Sequence, residues 1–237
     1  MNLLKEFYLS DKCAYLAEHK QTTHYKVIEN CSAKQCQELI ERGYRRFGKM
    51  YFRPICEGCN ECQSIKIDAQ NYTFSKSAKR VLKKAREIRT FIQKPTLTQE
   101  HLALFDKYHL YMHDKKEWEY EKTTPEHYYS SFVTGHESFG YEVLYFYENE
   151  LIGVDLIDIL EDGISSIYFY YDPDFKEYSL GRLSLYNQIH YAKRTNKKWI
   201  YLGYYVKDCP SLSYKAQYKP FLTLQGRPTE TEPFIWS

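Results

Sequence analysis

The sequence predicts an α+β protein: a small cysteine-bearing N-terminal domain, then a mixed sheet with flanking helices. Three observations carry this. Six of the seven cysteines fall in the first 62 residues, among several turn signals. From Tyr141, the runs YEVLYFY, LIGVDLIDIL and ISSIYFYY are rich in β-branched and aromatic residues, which favour strands. Helix-periodic stretches lie on either side of those runs.

The first 70 residues or so read as an irregular module, closed by a polar turn at Asp68–Asn71. In SKSAKRVLKKAREIR, Ala78, Val81, Leu82, Ala85 and Ile88 fall on one helical face. Lys76, Lys79, Arg80, Lys83, Lys84 and Arg86 fall on the other, so a basic amphipathic helix is expected over 76–89. A second helix follows Thr96, which forms a capping-box pattern with Gln99 and precedes Leu102, Phe105, His109 and Met112 at helical spacing. Thr124-Pro125 opens a third helix and Gly135 closes it. Glu148-Asn149 and Asp162-Gly163 are hairpin turns between the three strand runs, and Asp172-Pro173 ends the last. A helix over Ser179–Arg194, the strand WIYLGY, a short helix near Ser211–Tyr218 and a strand at FLTL complete the order. An antiparallel meander followed by a helical crossover to a further strand fits the acetyltransferase-like (GNAT) architecture. The division expected is 1–72 and 73–237.

With 43% hydrophobic residues the chain can bury a sizeable core. A net charge of only +2 means that any nucleic-acid affinity comes from local patches. No apolar run is long enough for a membrane helix, and MNLLKEFYLSDK lacks a signal-peptide core, so a cytoplasmic protein is expected. Seven cysteines, an odd number, then suggest metal ligands and buried thiols rather than a disulfide framework.

Four constellations carry chemistry. In CEGCNEC, Cys56, Cys59 and Cys62 can converge on one metal ion, with Cys13 the natural fourth ligand; structural zinc and an iron–sulfur cluster both suit this spacing, and plain loop thiols are the alternative. Cys31, Cys36 and Cys209 read as structural. In GYRRFGKMYFRP, Arg45, Arg46 and Arg53 offer planar forks matching carboxylate or phosphate, against the alternative of an exposed basic hairpin. The cations of 76–89 can track a phosphate backbone, or simply form a solvated face. Before the helix at 180, Ser179 reads as an N-cap and Gly181 is the only glycine; the loop lacks the glycine-rich pattern that cradles coenzyme A, so no coenzyme A is expected. The strands flanking the cleft display Tyr168, Tyr170, Tyr171, Tyr201, Tyr204 and Tyr205, faces on which bases stack. Asp158 is a charge in an apolar strand and needs a partner or a task; Asp155 competes for the role, and an offset of three puts the two on opposite faces.

Taken together, Cys13 with Tyr15-Leu16, Gly43 to Gly48, Tyr51-Phe52-Arg53-Pro54, the cysteine loop, Asp158, Asp162-Gly163, Ser165-Ser166, Tyr168, Tyr171-Asp172-Pro173, Ser179-Leu180-Gly181, Tyr201 to Tyr204, Cys209, Tyr214-Lys215 and Pro220 resemble the bacterial aspartate/glutamate leucyltransferases, relatives of the arginyl-tRNA–protein transferases. The resemblance runs nearly end to end. It departs at Met112-His113, where the family often has Arg-His, at Ser213, where it has Met, and at Phe221, where an acid often follows the proline. It implies leucyl transfer from leucyl-tRNA to proteins beginning with Asp or Glu, marking them for the N-degron pathway, with no cofactor required for the transfer. Arginyl transfer to the same acceptors, and a metal-stabilised RNA-binding protein, are the rival readings. On this basis Asp158 is expected to orient or deprotonate the attacking amine. Tyr168, Tyr204 or Lys215 would donate to the oxyanion or the departing ribose oxygen. Arg45 and Arg46, then Arg53 and Ser166, would hold the acceptor, and Lys76, Lys79, Arg80, Lys83 and Lys84 the tRNA.

Overall fold

The computed structural model describes residues 1–16 and 19–237. The N-terminal part is more regular than expected: β1 (Asn2–Lys12), β2 (Lys20–Glu29), β3 (Arg45–Phe47) and β4 (Met50–Pro54) form an antiparallel sheet in the order β1-β2-β4-β3. α1 (Ala33–Glu41) links β2 to β3 and starts with a Ser32–Gln35 capping box. Register places Thr23, Tyr25 and Val27 of β2 opposite Pro54, Phe52 and Met50 of β4, and Arg45 and Phe47 of β3 opposite Phe52 and Met50. Side chains of directly paired residues share a face. This front face therefore carries Arg45 and Phe47, while Arg46 and Arg53 point from the back.

The second sheet has seven strands in the order β11-β5-β10-β9-β8-β7-β6. These are β5 (Gln63–Asp68), β6 (Ile88–Gln93), β7 (Gly140–Tyr147), β8 (Glu150–Ile159), β9 (Gly163–Tyr171), β10 (Trp199–Tyr205) and β11 (Phe221–Thr223). β6 to β9 form the antiparallel meander, α5 (Leu180–Arg194) crosses over, and β10 returns parallel to β9. This is the GNAT-like order. The sheets do not divide at residue 72: β5 pairs with both β10 and β11.

α2 (Lys76–Lys84) stops short of 89, because Ile88 is taken by β6 and buried there. α3 (Gln99–Lys116) is capped by Thr98, not Thr96, whose hydroxyl donates to Glu142 instead. α4 (Pro125–Tyr128) opens at Thr124-Pro125 as expected and runs into a π turn, Tyr129–Val133. Ser179 has left-handed backbone angles and its side chain makes no cap, so that N-cap expectation is corrected. α6 (Pro210–Ser213) follows β10. Beyond β11, residues 226–234 fold back over the N-terminal sheet. There Arg42 donates to the Thr229 and Glu232 carbonyls, and Lys26 pairs with Glu230.

Candidate active site

β9 and β10 pair in parallel only over Gly163–Ser165 and Trp199–Tyr201. Just past that point both strands carry irregularities. Ile167 is extra in the β8–β9 ladder, and Leu202 and Gly203 together span one step of the β10–β5 ladder. Bulges of this kind interrupt pairing and re-aim backbone groups. The Arg45 guanidinium enters the gap, donating to Ser166 O at 2.9 Å, Ile167 O at 2.8 Å and Leu202 O at 3.1 Å. Gly203 makes this possible. Its φ is +73°, and a Cβ there would lie 1.5 Å from Arg45 Nη1. Arg45 thus spends three of its five N–H donors on carbonyls. Among the described residues no carboxylate forms an ion pair with it.

Arg46, on the back of β3, does otherwise. Its Nε donates to Asp158 Oδ2 at 2.7 Å, its Nη2 donates to Oδ1, and the two residues are 2% and 0% exposed. Burial opposes the guanidinium charge, but the Asp158 carboxylate outweighs it and holds Arg46 above its ordinary value. The Cys36 thiol also faces Asp158 Oδ2, at 3.9 Å. Asp158 is therefore spent on structure, with no free edge for an amine. Asp155 lies on the other side of β8, as the offset of three requires, and accepts from Ser184 Oγ at 2.6 Å and Gln188 Nε2 at 2.9 Å. The same Gln188 amide donates to Ser166 Oγ at 3.3 Å. Arg53 donates to the carbonyls of Arg42 and Pro228, both at 2.9 Å, and lies over the Tyr44 ring; it fastens the C-terminal fold-back.

Of the three expected donors, two have their protons committed. The single hydrogen of Tyr204 Oη is shared between Gly43 O at 3.2 Å and Phe52 O at 3.1 Å. Tyr168 Oη lies 2.8 Å from His109 Nε2, and His109 Nδ1 lies 2.8 Å from Phe105 O. A carbonyl only accepts, so Nδ1 carries the hydrogen and Tyr168 donates to the bare Nε2. Burial lowers the His109 pKa, which keeps the ring neutral near pH 7. Lys215 differs. It is 8% exposed, and its Nζ donates to Tyr204 O at 2.6 Å, leaving two N–H donors. Burial first, and Arg45 second, lower its pKa to about 7.

Two cavities open along the front face. The larger, about 830 Å³, is walled by Val27, Phe47 and Met50 from the N-terminal sheet, by Phe105 and His109 of α3, by Phe132 of the π turn after α4, and by Tyr168 of β9. Sequence reasoning missed His109, Phe47 and Phe132, since His109 sat at core-like helical spacing with no sign of the tyrosine it meets. The smaller, about 150 Å³, is lined by Cys13, Cys56, Cys59, Cys62 and Tyr204 among others. Burial pushes the Cys62 thiol up to about 12; Arg227 opposes this, while Cys13, Cys56 and Cys59 add to it. The expected four thiols do gather around one space. Even so, among the described residues no group of three or more His, Cys, Asp or Glu is disposed to hold a metal ion. Elsewhere, Lys76, Lys79, Arg80, Lys83 and Lys84 are exposed along α2, and Arg182 Nη2 donates to Ser77 Oγ at 3.3 Å, tying α2 to the first turn of α5. Among the described residues no helix is long and apolar enough to cross a membrane.

The site is thus built on a seven-stranded mixed sheet with an arginine wedged between β9 and β10. The chain belongs to the arginine-tRNA-protein transferase family: the family's N-terminal model matches residues 11–80 and its C-terminal model residues 100–225. It is 50% identical over 218 residues to an aspartate/glutamate leucyltransferase of Campylobacter jejuni, covering 92% of this chain and 91% of that one. It is 46% identical over 234 residues to one of Helicobacter hepaticus, covering 98% and 97%. Among solved structures it is similar to FemX at 7% identity and a TM-score of 0.46, covering 77% of this chain and 63% of that one.

Proposed function

We infer that this chain transfers leucine from leucyl-tRNA to the N-terminal Asp or Glu of acceptor proteins, a modification that directs them to degradation. The observation that carries this is the near-full-length likeness to the Campylobacter and Helicobacter leucyltransferases. Transfer of radiolabelled leucine to peptides beginning with Asp or Glu, and not Ala, is the expected result. Arginine transferred to the same peptides in place of leucine would overturn the donor, and no transfer to any peptide would overturn the reading.

The reaction needs positioning and one mobile proton. The acceptor amine attacks the ester carbonyl carbon, the bond to the ribose oxygen breaks, and one proton passes from amine to ribose oxygen. An α-amine with a pKa of about 7.7–8.0 is partly neutral near pH 7. Lys215 suits the transfer, because its pKa of about 7 lets it give a proton to the departing oxygen and regain one from the amine. Arg45, with two N–H donors to spare and no ion-paired carboxylate, is suited to the acidic side chain of the acceptor. The Ser166 backbone carbonyl holds the wedge, and the phenols Tyr168 and Tyr204 line the two front-face cavities. Asp158, Arg46 and Arg53 belong to the frame that holds Arg45. The filled gap between β9 and β10 supports a donor other than coenzyme A.

The exposed cations of α2 supply the tRNA contact in this reading. Lys79→Ala with Arg80→Ala and Lys83→Ala is expected to raise the KM for leucyl-tRNA at least tenfold at physiological salt. It should also flatten the salt dependence by roughly one unit of slope per lost phosphate contact. An unchanged salt slope would mark this face as merely solvated.

A further inference from the structure

We propose that the 830 Å³ cavity between the N-terminal sheet, α3 and the π turn after α4 binds the aminoacylated 3′ end of the tRNA, with the leucyl side chain against Val27, Phe47, Met50 and Phe132. The inference rests on the leucyl-transfer reading and adds to it the place and the residues that select the amino acid.

The cavity has two chemical zones. One wall is apolar and continuous: Val27 and Phe47 both lie directly opposite Met50, so three neighbouring strands present one hydrocarbon surface. Facing it, Phe132 lies 5.6 Å from the Phe47 ring and 5.7 Å from Tyr168, closing the wall into an aromatic corner. A branched aliphatic side chain gains by leaving water there. The other zone is polar, with Lys49, His127, Ser130, Ser131 and Thr134 drawn from the β3–β4 turn and from α4 with its π turn. Hydroxyls and basic groups match a ribose and its phosphate. A ligand apolar at one end and a sugar phosphate at the other fits both zones, and pockets of roughly 300–1,000 Å³ take ligands of that size.

The placement also suits the chemistry. Tyr168 lines this cavity, and the carbonyls just before it on β9, Ser166 O and Ile167 O, are held by Arg45. An ester carbonyl near Tyr168 is thus close to the wedge, where the acceptor is bound in this reading. Tyr168 gives its hydrogen to His109, so its remaining lone pairs can accept from the α-amino group of the leucyl moiety.

The test uses the full-length chain and 3′-leucylamino-3′-deoxyadenosine, an amide that does not transfer. Binding is measured by calorimetry beside leucine transfer to an Asp peptide. Val27→Trp fills the apolar zone from a half-buried strand position, and Thr134→Phe narrows the cavity from its polar side should the first variant fold poorly. Either folded variant is expected to weaken analogue binding at least tenfold. The parent should bind the alanyl analogue at least tenfold less tightly than the leucyl one, and Val27→Trp should erase most of that ratio. Equal binding by parent and folded variants, or no binding by the parent, overturns the proposal. Cavity-dependent binding without peptide transfer would uphold the site while removing the leucyl-transfer reading.

Discussion

Arg46→Ala is expected to lose about 3–5 kcal/mol of folding stability, read from the urea midpoint. The size follows from what is left behind. Asp158 is fully buried, and its two oxygens meet Arg46 Nε and Nη2. Removing the guanidinium strands a charge where water cannot reach it. Arg46→Met combined with Asp158→Leu, which removes both charges, is expected to recover most of the loss, since apolar replacements of a buried pair are often neutral. Asp158→Asn should lose stability and activity together. Parent-like stability with activity alone lost would instead make Asp158 a group acting on substrate.

Lys215→Met is expected to lower kcat/KM for an Asp peptide by about 10²–10⁴-fold, the usual contribution of a positioned acid–base group. The pH profile identifies the cause. In the parent, kcat/KM should rise until the acceptor amine is neutral, at about 7.7–8.0. It should fall as Lys215 loses its proton above about 7, giving a narrow bell. Without Lys215 only the rising limb remains. Lys215→Arg keeps a charge but exchanges no proton near neutrality, so it should not restore the rate. A falling limb that persists in Lys215→Met would assign it to another group.

The meander and crossover were legible because β7, β8 and β9 are β-branched and aromatic, and because their turns carry Glu148-Asn149 and Asp162-Gly163. The N-terminal sheet was not. β1 is exposed on both faces along nearly its whole length, so its sequence shows no alternation to read. On β2 an inward Lys26 and His24 disguise the buried side. The end of α2 was hidden because Ile88 completes a helical stripe equally well, and only pairing with Tyr147 decides for β6. In the site, residue types were readable but pairings were not. Adjacent arginines looked equivalent, yet one-residue alternation sends Arg45 into the gap and Arg46 to a partner 112 positions away.

The position of β5 has a consequence for biosynthesis. Its partners β10 and β11 begin about 130 residues or more later in the chain, so at about 5–20 residues per second β5 emerges roughly 7–25 s before either can reach it. During that interval Ile65 and Ile67, at most 1% exposed in the finished protein, have no sheet to enter. The nascent chain carries a bare β-edge flanked by apolar side chains, the kind of surface that aggregates or engages chaperones. Yield of this protein should therefore depend on translation speed and on chaperone supply more than its finished stability would suggest.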